Sequence, residues 1–388
     1  MEIIEVTDKH TEQDFIEVSP IINRINPNYI RPLDNEVKEV FNKEKNKFYK
    51  DNGIAKRWIL KKDKNLAGRI AAYIYPSYKN NGTDYPVGCI GFFDCINDQD
   101  AANLLFDTAK NWLMQNGVDA MDGPVNFGNR DKWWGLLIEG FDQEPIYGMA
   151  FNPPYYQKLF EHYGFKNYYN QYYYELDPYR KLDDKFVTRY EKIKSKKDYT
   201  ARHIDIKNLE KHAEEFATVY NLAYSQHKEG KEITKQQVIK LFKSLKPIID
   251  EKIIWFAYYK DEPIAMWINI PDINQYFKHF DGKLGLWQKL QLMWMKWNKT
   301  CKKFIGIAYA VVPKFQRLGM DSFMIYEASR ILQKEQQYTE YEMGWTGDWN
   351  PKMLRVYESL NSTMSRKLIT YRYIFNDKHP FERRPIYQ

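Results

Sequence analysis

The stretch Gly-Ile-Ala-Tyr-Ala-Val-Val-Pro-Lys-Phe-Gln-Arg-Leu-Gly-Met-Asp, residues 306–321, decides the reading of this chain. An apolar run from Ile305 to Val312 has the length and β-branched content of a strand, and Pro313 ends it. A turn carrying Gln316, Arg317 and Gly319 follows, and Ser322-Phe323-Met324-Ile325-Tyr326-Glu327-Ala328 then begins a helix-like pattern. A strand, a tight turn and a helix start form an anion site. Unpaired N–H groups and the positive end of the helix dipole face the ligand there. Arg317 adds a charge, and Gly319 permits positive φ and close approach of a phosphate. An ordinary strand–turn–helix connection has the same pattern, so the motif is a hypothesis to be placed in context.

This stretch resembles the coenzyme A pyrophosphate loop of the GNAT superfamily of N-acetyltransferases. That loop reads Arg or Gln, two residues, Gly, one residue, then Gly or Ala. Gln316 and Gly319 match it, and Pro313 sits where the family often places a proline. Asp321 departs from it, standing where the family has a small residue. A carboxylate beside a pyrophosphate costs affinity unless it points away or caps the helix.

Composition bounds the remaining possibilities. The chain has 388 residues, 44% hydrophobic and 16% aromatic, enough for one large core or two medium ones. A net charge of +7 is mild for this length; it suits small anionic ligands and excludes a nucleic-acid-binding signature. Cys89, Cys95 and Cys301 form neither a disulfide framework nor metal-ligand spacing, so no metal is expected. No run reaches the ~20 apolar residues of a membrane span. The N-terminus carries no signal pattern. A soluble cytoplasmic protein without stable membrane insertion is expected.

Hydrophobic periodicity suggests two halves of similar plan. The first holds strands at 3–6, 55–61, 68–75, 87–93, 120–124 and 168–176, with helices at 13–22, 101–116 and 152–163. The second holds strands at 203–206, 253–259, 263–270, 302–312, 338–345 and 367–375, with helices at 209–224, 235–243, 322–336 and 350–360. A Lys- and Arg-dense stretch, 177–197, lacks apolar periodicity and reads as a linker. Asn152-Pro153 before Phe160-Glu161 parallels Asn350-Pro351 before Tyr357-Glu358, which suggests duplication.

The element order resembles a pair of GNAT domains, expected at 1–180 and 199–388. The resemblance implies a mixed α/β (α+β) fold of two tandem acyl-CoA N-acyltransferase domains, each a mixed, mostly antiparallel sheet flanked by helices. Gly123-Pro124-Val125-Asn126-Phe127, Gly135–Asp142 and Asn152-Pro153-Pro154-Tyr155-Tyr156 resemble a signature block of an uncharacterised bacterial tandem-GNAT family.

The same resemblance implies function. The second domain is expected to transfer an acyl group from acetyl-CoA or another acyl-CoA to a small-molecule amine or peptide acceptor. Val311, Val312, Gln316, Arg317, Leu318, Gly319, Met320 and Asp321 would contact the cofactor. Tyr357, in the helix after the fifth strand, would protonate the leaving thiolate; a Tyr packed in the core is the structural alternative. Glu340 and Glu342 alternate along one strand and so share a face; they would take the amine proton, the alternative being a solvated strand face. Arg130, Trp133 and Trp134 lie in a loop suited to an anionic or aromatic acceptor.

The first domain is expected to be degenerate. Its loop, Asp94-Cys95-Ile96-Asn97-Asp98-Gln99-Asp100, puts three carboxylates where phosphates would sit, and Phe160 stands roughly at the position of Tyr357. A non-catalytic GNAT-fold binding protein and a Fem-like aminoacyl transferase are the rivals. Finally, the aromatic, Met-rich segment 284–297 is expected to form a buried helix, with membrane contact or cover for an acyl chain as its alternatives.

Overall fold

A computed structural model describes residues 1–76, 78, 83–224, 232–376 and 379–386, without the side chains of Lys185 and Tyr224. In chain order the elements begin with β1 (Glu2–Glu5), α1 (Lys9–Asn23), α2 (Asp34–Val40), α3 (Lys47–Lys50), β2 (Ile54–Lys62), β3 (Asn65–Ile74) and β4 (Val87–Cys95). They continue with α4 (Gln99–Gln115), β5 (Ala120–Gly123), β6 (Leu136–Glu139), α5 (Tyr156–Tyr163), β7 (Lys166–Leu176) and α6 (Asp184–Lys194). Next come β8 (Tyr199–His203), α7 (Leu209–Tyr224), α8 (Lys235–Leu245), β9 (Ile254–Tyr259), β10 (Glu262–Pro271), α9 (Asn274–Phe277) and α10 (Leu286–Trp297). The chain ends with β11 (Lys303–Val311), α11 (Met320–Glu335), β12 (Glu340–Gly347), α12 (Pro351–Ser359) and β13 (Thr363–Ile374).

These elements fall into two compact units. The first comprises residues 1–174, 276–293 and 345–388; the second comprises 175–275 and 294–344. This division differs from the expected consecutive halves at 180 and 199. The reason is pairing. The last strand, β13, joins the first unit, where Tyr371↔Gly123 through Ile374↔Ala120 pair antiparallel with β5 and Leu368↔Leu137 with β6. Sequence order identifies a strand but not its partner.

The first unit's sheet runs β1-β2-β3-β4-β5-β13-β7; β1 to β4 pair antiparallel in turn, β4 meets β5 in parallel, and β5 meets β13 antiparallel. The β2–β3 turn places Asp63 and Lys64 at φ 49 and 68, the conformation favoured in tight hairpins. On α4, Ala101, Leu105, Ala109 and Leu113 recur every four residues and are fully buried in the main core with Ile70, Ala72 and Ile90 of the sheet. Asp8 starts α1 with a capping box, its carboxylate accepting from the Thr11 N–H at 2.8 Å. A buried ion pair ties β13 to β5: Arg372 donates to Asp122 at 2.7 and 2.9 Å, both side chains fully buried.

The second unit's sheet runs β12-β11-β10-β9-β8. Its strands are antiparallel except for β11 with β12. Ala213, Phe216, Val219, Val238 and Phe242 of α7 and α8 pack with Ile254, Phe256, Met266 and Ile268 of the sheet. Beneath them His212 Nδ1 lies 2.7 Å from Glu215, which also accepts from the Tyr258 hydroxyl at 2.9 Å. The His212 Nε2 accepts from the Asp205 N–H at 3.0 Å, so every polar group of this buried trio is engaged.

Two expectations are corrected. The stretch read as a linker contains α6. Its buried Phe186, Tyr190 and Ile193 follow a helical spacing that the surrounding lysines hide. Tyr190 stacks on Tyr326 of α11 at 3.9 Å between centroids and donates to Glu327 at 2.9 Å. The segment expected as a buried helix is indeed helical, as α10. However, only its Met295 is buried, while Trp287 and Trp297 are 74% and 82% exposed. Among the described residues no helix is long and apolar enough to cross a membrane, and no cluster of His, Cys, Asp and Glu is suited to a metal.

Candidate functional site

The strand–turn–helix forms where the sequence places it. β11 pairs in parallel with β12 at Lys303↔Glu340, Phe304↔Tyr341 and Ile305↔Glu342, and this ladder ends there. Its other edge stays paired to β10 as far as Val311↔Ala265. Beyond Ile305, then, one edge of β11 is free of that ladder and leads into the turn. Gly306 still abuts Gly344 of β12, a Cβ there lying 3.1 Å from Gly344 N, so a notch offering backbone donors and acceptors to an extended ligand begins only past this contact.

The turn is held by short-range bonds. Phe315 N donates to Val312 O at 2.8 Å and Gln316 N to Pro313 O at 3.2 Å. The Gln316 side chain folds back to Val311 O at 3.2 Å. Gln316 therefore braces the turn. Arg317 and Gly319 both adopt positive φ, 61 and 87. Gly319 is the residue that caps α11 at its N-terminus, and no side chain accepts the helix's first N–H groups. Among the described residues, the backbone N–H groups of Arg317 through Ser322 have no protein acceptor, and Arg317 has no carboxylate partner. Met320 and Ser322 are buried, whereas Arg317 and Leu318 are exposed. A Cβ at Gly319 would lie 3.3 Å from Ile193 and 3.5 Å from Arg189, so α6 backs the turn.

Asp321 sits in the first turn of α11 without capping it. Of the two ways for this carboxylate to be tolerated, the cap is not the one used. It lies close enough to β11 that its charge, after burial, contributes to pushing the Tyr309 hydroxyl well above its ordinary pKa.

The paired glutamates do share a face. Lys303 Nζ lies 2.9 Å from Glu340 and 4.0 Å from Glu342, joining both across the parallel ladder. Glu342 is fully buried and Glu340 exposed, so the pair is not simply a solvated face. Tyr357 lies on α12 in the first unit, 6% exposed, with its ring 5.1 Å from that of Tyr174. Arg130, Trp133 and Trp134 also belong to the first unit. Arg130 lies over the Trp134 ring at 5.5 Å, and the Trp134 indole N–H donates to the Tyr169 hydroxyl at 2.6 Å. Trp133 has φ 46, and its N–H donates to Gly148 O at 2.6 Å. The loop, Glu340 and Glu342 thus belong to one compact unit, with the glutamates beside Lys303 and Ile305 at the end of β11 away from the turn, and Tyr357 and the Arg–Trp group belong to the other.

The equivalent position in the first unit is filled. There β4 pairs with β5 in parallel at Val87↔Ala120, Gly88↔Met121 and Cys89↔Asp122, the same three-residue contact. The chain then folds back across β4, with Val125 N donating to Ile90 O at 2.8 Å. A Cβ at Gly91 would lie 1.9 Å from Val125 O, so only glycine allows this approach. Cys95 N donates to the Tyr156 hydroxyl at 2.8 Å, and the Tyr155 hydroxyl donates to Cys95 O at 2.7 Å. Asp98 caps α4, accepting from Asp100 N and Ala101 N at 3.0 and 3.2 Å, and pairs with Lys62 at 2.7 Å. Of the N–H groups in this loop and helix start, those of Cys95, Ile96, Asp98, Asp100 and Ala101 have acceptors here. Phe160 is fully buried against Phe93 and Phe106. Tyr155, Tyr156 and Val125 went unnoticed as the residues that fill this notch. Their presence in the signature block was the available signal.

Comparison with known proteins places these features in a fold. No protein-family model matches the chain. Over 352 residues the chain is 25% identical to a protein of Caulobacter vibrioides named bacterial ceramide synthase, covering 90% of this chain and 91% of that one. Over 357 residues it is 25% identical to protein YghO of Escherichia coli, covering 89% and 88%. Among solved structures it is similar to a tandem GNAT protein from the clavulanic acid biosynthesis pathway, with TM-score 0.54 and 9% identity, covering 97% of this chain and 99% of that one. It also matches the GCN5-related glucosamine N-acetyltransferase region of a fungal multi-domain protein, with TM-score 0.54 and 12% identity, covering 96% of this chain and 38% of that one. The chain has the tandem GNAT fold that residues 306–321 and the element order suggested.

Proposed function

We propose that this protein is an acyl-CoA-dependent N-acyltransferase whose acyl-CoA site is the notch and turn of the second unit. The observation that supports this most directly is the run of backbone N–H groups from Arg317 to Ser322, left without protein acceptors at an uncapped helix N-terminus behind Gly319. A pyrophosphate supplies acceptors for such groups and gains from the helix dipole. Val311 and Val312 lie where the pantetheine arm would run along β11, and Arg317 and Leu318 flank the pyrophosphate. Met320 and Asp321 contribute N–H groups.

The chemistry asked of the protein is modest. A neutral amine attacks the thioester carbonyl, and the tetrahedral intermediate expels the thiolate. The amide nitrogen loses one proton and the thiolate gains one. Positioning the two reactants supplies much of the acceleration. Glu342, buried beside Lys303, is the proposed acceptor of the amine proton through water, with Glu340 anchoring Lys303. Tyr357 is the proposed donor to the thiolate, since a phenol of pKa about 10 can protonate a thiolate whose conjugate acid lies about 8.5.

One acceptor class is supported by similarity to the protein named bacterial ceramide synthase, which spans nine-tenths of both chains. A ceramide is the amide of a fatty acid with a long-chain amino alcohol. We infer that the acyl donor is a long-chain acyl-CoA and that the acceptor is a long-chain amino alcohol. Incubating the protein with palmitoyl-CoA and a panel of amines tests this, with free thiol and product mass as readouts. The expected result is amide formation with sphinganine-like amines, exceeding that with amino acids, polyamines or amino sugars. Thiol release with a small polar amine alone would overturn the acceptor assignment. No amide with any amine would favour a non-catalytic binding protein.

A further inference from the structure

The outward face of α10 has no role in that chemistry. Leu286, Trp287, Leu290, Met293, Trp294 and Trp297 are all exposed, Leu286 by 78% and Trp297 by 82%. At about 100° per residue, these six lie within an arc of roughly 120° on one side of the helix. The one buried residue of the helix, Met295, lies on the other side. The usual arrangement of a surface helix is inverted, with the largest apolar side chains in water.

The segment that carries this stripe has charge of one sign only. From Gly282 to Lys303 the sequence has no Asp or Glu, and it has Lys at 283, 289, 296, 299, 302 and 303. Lys299 and Lys303 pair with Glu335 and Glu340, and Lys296 donates to Pro247 O. Among the described residues, the ammonium groups of Lys283, Lys289 and Lys302 have no carboxylate partner.

We propose that α10 is an interfacial helix that docks the protein on an anionic lipid surface. Its 12 residues span about 18 Å, too short to cross a hydrocarbon core of ~30 Å. It lies in the plane of the interface, with its Trp and Leu side chains below the headgroups and its lysines among the phosphates. A second copy of the chain fits less well. In a twofold contact the same patch faces itself, so lysines would meet lysines with no carboxylate between them. An acyl chain would need a concavity, and this face is an exposed ridge of one helix. The proposal is independent of the acyl-transfer reading, because it needs neither coenzyme A nor an acceptor.

Sedimentation of the full chain with phosphatidylcholine vesicles, with and without phosphatidylglycerol, tests it. Two variants are compared: Trp287→Ser with Trp294→Ser and Trp297→Ser, and Lys283→Gln with Lys289→Gln and Lys302→Gln. Circular dichroism and thermal midpoint check their folding. The wild type is expected to bind the anionic vesicles with a blue shift of Trp emission. The Trp variant is expected to bind at least about tenfold more weakly, having lost most of the interfacial anchors. The Lys variant is expected to lose its preference for phosphatidylglycerol. A wild type that stays in the supernatant with both vesicles overturns the proposal. So do variants that bind as the wild type does, or a wild-type dimer without vesicle binding that the Trp variant converts to monomer.

Discussion

At the scale of single residues, the departure at Asp321 has a physical consequence. The carboxylate does not cap α11, so its stabilising contribution is limited to its interaction with the helix dipole, about 0.3–1 kcal/mol. Asp321→Ala should therefore tighten coenzyme A binding while lowering stability only slightly. Calorimetric titration and urea melts measure the two separately, and weaker coenzyme A binding in the variant would contradict this account. Tyr357→Phe keeps the ring against Tyr174 and should leave coenzyme A affinity unchanged. It should slow the chemical step by roughly 10²–10⁴-fold, the range for a positioned acid. Single-turnover rates at the wild-type value would remove the hydroxyl from the mechanism. A further residue-scale prediction concerns acid. Burial alone would raise the Glu215 pKa, but hydrogen bonds from His212 and Tyr258 outweigh it and hold it below the ordinary value. A depressed folded-state pKa stabilises above the unfolded value, about 4.3, and that contribution is lost as pH falls through the folded one. Glu215→Gln should thus make urea stability less steep between pH 5 and lower values; an unaltered slope would show that the trio does not titrate with folding.

At the scale of elements, local pattern carried most of the information. Helices with an apolar stripe, such as α4, and hairpins such as β2–β3 and β9–β10 were legible because their signals are short-range. The bounds of α11 and β11 fell within two residues of expectation. By contrast, α6 was hidden because three buried residues among many charges leave little hydrophobic contrast, and because its partner surface on α11 is invisible in the sequence. The short strand β6 has only four residues and gains its identity from pairing with β13. β13 itself carries a testable dependence. Removing one member of the buried Asp122–Arg372 pair leaves the other charge uncompensated. Arg372→Met should cost about 3–5 kcal/mol by denaturant titration. A loss below 1 kcal/mol would mean that the last strand is not a structural part of the first unit.

At the scale of the whole molecule, the two notches are alike in plan and differ in what fills them. Each has a parallel contact of three residue pairs between the strand before its loop and the strand after it. In one, Val125, Tyr155, Tyr156 and Asp98 satisfy the exposed backbone. In the other, the backbone from Arg317 to Ser322 is left bare. The carboxylate-rich loop 94–100 is the sequence feature on which the first half was expected to be a poor anion site. The filling of the first notch did not announce itself, because it depends on residues 30 to 60 positions downstream of that strand. The division of the chain was equally illegible, since β13 returns to β5 across some 250 residues, and nothing local specifies such a partner. The central claim is that one of the two notches, and only one, is an acyl-CoA site. Calorimetric titration of the purified chain with coenzyme A, alongside Gly319→Val, tests it most directly. The account predicts one equivalent bound per chain and loss of that binding in the variant, whose side chain strains the positive φ and crowds Ile193. Two equivalents per chain, no heat at millimolar coenzyme A, or undiminished binding by Gly319→Val would contradict it.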